Sequence, residues 1–189
     1  MVSVMQIADY IIHWHLENQV PITSLKLLKL IYYAEAWFLA GYEETLIGEP
    51  IEAWQYGPVV RRVYNRYRTY GDNNITSIPA LPIFDERIKR HLDFVLSTYG
   101  NLSAWDLSHI SHSEDPWRNA REGLQDDEYS NRYVPREVMK TYYGRFIQNS
   151  LLEAMEDHVD LAESQIARME IQREGVVDWT TIKQEADLL

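Results

Sequence analysis

The chain of 189 residues contains no cysteine. Disulfides, thiol nucleophiles and cysteine-ligated zinc sites are thereby excluded, and the composition suits a reducing cytoplasm. No apolar run approaches the length needed to cross a bilayer, and Met1 to Gln6 carries no basic start, so neither a membrane anchor nor a signal peptide is expected. No glycine-rich phosphate loop occurs, nor any internal repeat or low-complexity tract. Basic residues are in deficit: 18 Lys and Arg face 29 Asp and Glu, a net charge of −11. Nucleic-acid affinity begins with phosphate neutralisation, so this balance disfavours a nucleic-acid partner and favours a basic protein.

What the chain does have is apolar content, 46% with 13 Tyr and 6 Trp, enough for a core in one domain with an appendage. The appendage is the last quarter, residues 145–189. There Leu152, Met155, Val159, Ala162, Ile166 and Met169 recur at spacings of three and four, an apolar stripe along a helix. Ten acids against four bases give this segment −6 of the total charge. Gly175 is placed to end the helix, and Asp178 to cap a short final piece holding Trp179, Ile182 and Leu188. Such a stripe requires cover from its own body, a second copy or another protein, and the charge favours another protein.

The body, residues 1–144, reads as helices. Val4, Ile7, Ala8, Ile11 and Ile12 predict a first helix over 3–17. Thr23 or Ser24 caps a second, strongly apolar one closed by Gly41, with Lys26, Lys29 and Glu35 as its polar face. Residues 42–60 are loop with short extended pieces near 50–57. Gly57-Pro58 reads as a turn, with Pro58 opening a helix that carries Val60, Val63, Tyr64 and Tyr67. Arg61, Arg62, Arg66 and Arg68 make it the one basic segment, either an anion or partner patch or a face paired with the protein's own acids. Residues 70–84 read as loop, and a helix follows over 86–99. Ser103 and Asp106 form a capping box for a helix through Ile110. Pro116 starts a short helix ending near Gly123, residues 125–131 are loop, and Pro135 starts the last body helix. The default for Trp54, Tyr56 and Tyr64 is core packing.

His109, His112, Glu114 and Asp115 are the only cluster with metal or catalytic chemistry in view, and no third ligand is marked elsewhere. The alternative is that His112 fixes the turn before Pro116-Trp117. Ser111 and Ser113 lie in no strand–turn–helix elbow, so spacing alone does not make them nucleophiles.

Three stretches in order resemble the Panacea domain, an α-helical module of SocA-like antitoxins and proteolytic adaptors: Ile22 to Ala34, Glu52 to Val60, and Tyr99 to Ser103 leading on to His112 to Arg118. The resemblance implies a mainly α fold, a compact multi-helix bundle, with no enzymatic activity and no cofactor. It implies structural roles for Lys29, Trp54, Tyr56, Gly57, Pro58, His112, Pro116 and Trp117. The tail resembles the toxin-neutralising end of RelB- or Phd-type antitoxins through Leu151 to Asp157, Asp160 to Glu163 and Val177 to Glu185, with Thr180 where an acid is usual after the Trp. Together these imply a type II antitoxin whose partner is a small basic RelE- or ParE-like toxin. The toxin would be held by Leu152, Met155, Val159, Ile166 and Met169, with Trp179 and Ile182 as a second contact. The resemblance also admits an adaptor that delivers a toxin to an AAA+ protease. A homo-oligomer and a DNA-binding autorepressor using Arg61 to Arg68 are further readings, the latter opposed by the charge.

Overall fold

The computed structural model describes residues 1–125 and 127–157. The chain divides into two units, Met1–Ile147 and Gln148–Leu189. Of the second, the helical backbone of residues 148–157 is described. Seven α-helices and one small hairpin make up the described part: α1 (Val4–Glu17), α2 (Ser24–Tyr42), β1 (Glu52–Trp54), β2 (Gly57–Val59), α3 (Arg61–Tyr67), α4 (Glu86–Tyr99), α5 (Ala104–Ser113), α6 (Asp115–Ala120) and α7 (Arg136–Asp157). A single 3₁₀ turn, Arg68–Tyr70, follows α3.

The centre is α2. Every residue from Lys26 to Leu39 is buried, because α1, α4, α5 and the hairpin pack around it. A helix apolar on all sides belongs in the middle of a bundle, where each large side chain removed from water contributes about 1.5–3 kcal/mol. Its start is capped by Thr23, whose Oγ1 accepts the Lys26 amide at 3.3 Å. It runs past Gly41 and stops where Glu43 takes a left-handed φ of 56°. The expected polar face of α2 does not exist. Lys26, Lys29 and Glu35 are buried with the rest, since no side of this helix meets solvent. Their polar ends are satisfied by backbone groups and, for Glu35, by the Arg136 side chain as well. Lys26 donates to the Pro21 carbonyl, while Glu35 accepts the Leu46 and Ile47 amides and the Arg136 Nε, all at 2.9 Å.

Around α2, α1 buries Ile7, Ile11 and Ile12, and α4 buries Leu92, Val95, Leu96 and Tyr99. Tyr33 stacks on Tyr99 at 4.1 Å between centroids, and Trp37 donates to the Tyr99 hydroxyl. The α5 capping box forms as spaced, Ser103 and Asp106 each bonding the other's amide, and the helix reaches Ser113.

Pro58 does not open a helix. It lies in β2 opposite Ala53, the turn falls at Gln55-Tyr56, and α3 begins at Arg61. Proline has no amide to offer a ladder, so this pairing works at a position where Ala53 sends its own N–H away from β2, to the Arg132 carbonyl at 2.7 Å. On the basic helix, Arg61 is paired with Glu52 and Arg62 with Glu49, so those two charges are met by the protein's own acids.

Candidate functional site: the polar centre beneath the hairpin

The hairpin sits on α2 and α5 through side chains that would be costly to bury unpaired. Lys29 is fully buried, and its Nζ donates to the Pro58 carbonyl at 3.1 Å. Burial pushes its ammonium down to about 7. Gly57 is needed there twice over. Its φ is +97°, and a Cβ would lie 2.7 Å from Lys29 Cε and Nζ and 2.9 Å from Ser111 Oγ. From α5, Ser108 donates to the Tyr56 carbonyl at 2.9 Å, while Ser111 turns back to the Ser108 carbonyl.

The short helix α6 holds the other side of the hairpin. Pro116 occupies its first turn, where a missing N–H costs nothing. Trp117 is buried and donates its Nε1 to the Trp54 carbonyl at 2.9 Å. His112 stacks on Trp117 at 4.0 Å and 14° between planes, and its Nε2 is buried with no hydrogen-bond partner. Burial, with Lys29 nearby, lowers this imidazole to about 3, so it is neutral. Arg121 closes the assembly by donating to the carbonyls of Ala53, Gln125 and Glu128.

Deeper in, Glu114 is buried between Tyr143 and Tyr32, whose hydroxyls donate to its Oε2 at 2.6 and 3.3 Å. Burial lifts its carboxyl to about 8, so the acid is largely protonated at neutral pH. Burial and this same carboxyl push the Tyr32 and Tyr143 hydroxyls well above their usual range.

The structure therefore brings Lys29, Trp54, Gly57, Pro58, His112, Pro116 and Trp117 to one place. Tyr56 joins through its backbone, but its ring is more than half exposed, against the expectation of core packing. The hairpin tip simply carries it past the edge of the core. Trp54 and Tyr64 are partly covered and meet edge to face at 4.7 Å. His109 and His112 do not form a metal site: among the described residues no group of His, Cys, Asp and Glu is placed to hold an ion. A lysine with a depressed pKa is a nucleophile only where a substrate can reach it, and Lys29 is sealed. The arrangement clamps a hairpin onto a helix. Sequence reading missed the part that Ser108, Ser111, Arg121 and Tyr143 play beneath the hairpin; the three-residue spacing of the two serines on one face of α5 was the available signal.

Of the expected toxin contacts, Leu152 and Met155 fall on the described backbone of α7. Val159, Ile166, Met169, Trp179 and Ile182 lie outside the described residues.

Comparison with known proteins adds the following. Residues 27–118 match the family described as "Antitoxin SocA-like, Panacea domain". Antitoxin SocA of Caulobacter vibrioides is 33% identical over 111 residues, which make up 52% of this chain and 59% of that protein. The match thus spans less than two thirds of that relative. No solved structure matches significantly.

Proposed function

We propose, from the match of residues 27–118 to the SocA-like Panacea family, that this chain is an antitoxin acting by direct contact with a toxin protein. The body is the platform, and residues 145–189 are the inhibitory element. The observation that carries this is the coincidence of an apolar heptad stripe with a charge of −6 in one segment. The stripe would lie in an apolar groove of the partner and the acids would meet its basic surface, as in helix-in-groove recognition. A small basic RelE- or ParE-like toxin fits both demands. The buried polar centre supports the platform role, because its reactive groups are spent on holding the hairpin.

The test is co-expression of the candidate toxin with the full chain or with a chain ending at Gly144. The full chain is expected to restore growth and the truncated one to fail. Rescue by the truncated chain would overturn the assignment of the tail. Repeating the assay in a host lacking AAA+ proteases separates blockade from delivery: blockade persists there with toxin levels unchanged, whereas an adaptor loses its effect.

A further inference from the structure

A cleft lies between α6 and α7, and the spacing of residues on the two helices sets its chemistry. On α6, Asp115 and Asn119 stand one turn apart and share a side. On α7, Glu137, Thr141 and Arg145 follow at intervals of four, with Val138 and Tyr142 as the row beside them. These two sets enclose a volume of about 310 Å³. Val138 and Tyr142 are half-buried and give the cleft an apolar wall, while Asn119, Glu137, Thr141 and Arg145 are exposed.

Charge decides what this cleft can take. Asp115 and Glu137 bring two carboxylates to it and Arg145 one guanidinium, a net charge of −1. Arg145 Nη1 stands 3.7 Å from Asp115 Oδ2, beyond hydrogen-bond reach, and both side chains are well exposed, so this pair is weak. The Glu137 carboxylate has no hydrogen-bond or ion-pair partner among the described residues. The other charges on these helices do not compensate it. Arg136 is held by Glu35 and Lys140 by Glu43, while Arg121 is turned inward to the Ala53 carbonyl. Exposed Arg118 and Glu122 lie outside the cleft lining and offset each other. Glu114, beside Asp115, is interior and keeps its proton. Two carboxylates with one loosely held cation between them repel an anion and leave a neutral group unmatched. A guanidinium answers them: it is planar, donates along its edges to carboxylates and lays its face on an aromatic ring such as Tyr142.

We propose that the α6–α7 cleft receives an arginine side chain of the protein partner, with Asp115 and Glu137 accepting from its guanidinium as it displaces Arg145 from Asp115. The identity of the partner rests on the antitoxin reading: a protein that answers a segment of charge −6 is basic and presents such side chains. The size agrees, since 310 Å³ is at the low end for ligand sites and gives room for one long side chain. Arg145 is the stand-in. It faces Asp115 while the partner is away, and exchanging one guanidinium for another leaves Asp115 paired as before. The gain is the new pairing with Glu137, which the chain's own residues leave open. The body thus selects its partner as well as carrying the inhibitory segment.

The probe is Nα-acetyl-L-arginine amide, titrated into the isotope-labelled full chain and followed by the NMR shifts of the Asn119 and Thr141 amides. Its uncharged isostere, Nα-acetyl-L-citrulline amide, is the control. A saturable shift with a dissociation constant on the order of 1 mM is expected, which is what a ligand of roughly fifteen heavy atoms reaches. The citrulline compound is expected to bind about tenfold more weakly or worse. Glu137→Gln is expected to weaken the arginine compound by about three- to tenfold. Arg145→Ala is expected to tighten it by about two- to fivefold, because the competing guanidinium is gone. Both positions are exposed, and circular dichroism with a melting curve checks that the fold persists. Asp115→Asn serves in place of Glu137→Gln if that variant unfolds. No saturation by about 50 mM overturns the proposal. So do shifts confined to residues outside the cleft, equal binding of the two compounds, indifference to Glu137→Gln, or an Arg145→Ala chain that binds no tighter. No toxin is present in this titration, so its failure leaves the antitoxin reading to the co-expression test, and failure there leaves the cleft's preference for arginine standing.

Discussion

Replacing Glu114 by Gln is expected to reverse sign with pH. In the fold its carboxyl titrates at about 8, against an ordinary value of 4.5 in the unfolded chain, because burial penalises the charged form. Between those two pH values the folded protein holds a proton that the unfolded protein releases. Wild-type stability from this group is thus complete below 4.5 and is lost as pH rises towards 8, by about 1.4 kcal/mol per pH unit. Gln cannot ionise and has no such loss. Near pH 5 the amide closely copies the protonated acid, and a mismatch with the Tyr143 or Tyr32 hydroxyl costs about 1 kcal/mol. By pH 7 the difference has moved by about 3 kcal/mol in favour of Gln, so Glu114→Gln becomes the more stable protein. His15 and His91, lowered to about 4 by burial, and His112, lowered to about 3, weaken both proteins in acid alike, and they cancel in the comparison. The assay is urea unfolding followed by tryptophan fluorescence at pH 5, 6, 7 and 8. A pH-independent difference, or a wild type that gains on Gln as pH rises, would refute the reasoning. The carboxylate would then be ionised in the fold and held by the two tyrosine hydroxyls.

Gly57→Ala is expected to destabilise by about 1–3 kcal/mol, since the residue combines a left-handed φ with a Cβ position occupied by Lys29 and Ser111; a thermal melt measures it. Arg136→Ala leaves the buried Glu35 carboxylate with backbone amides alone and frees the Ile47 and Glu49 carbonyls. A loss of about 3–5 kcal/mol is expected. The double variant with Glu35→Ala should lose less than the sum of the two singles, which a double-mutant cycle reads directly.

Local signals in the chain located most of the helices. Thr23 and the Ser103–Asp106 box mark helix starts that form as spaced, because a capping side chain acts within four residues and needs no distant partner. The same locality explains the failures. Gly41 looks like a helix end, yet α2 passes through it, since packing on all sides holds the helix until Glu43. Gly57-Pro58 looks like a turn before a helix, yet it is a strand, because Arg132 supplies the hydrogen bond to Ala53 from about eighty positions along the chain.

By itself, the order of residues determined the helical class, the cap positions, the absence of thiol chemistry and the acidic striped segment at the end of the chain. These follow from composition and from spacings shorter than two helical turns. Only the tertiary structure decided that Lys29 and Glu35 are interior, that Glu114 keeps its proton, and that Ile78, Ile83, Tyr129 and Tyr133 are left facing water. Burial is a property of everything packed around a residue, and for α2 that means segments up to a hundred residues away.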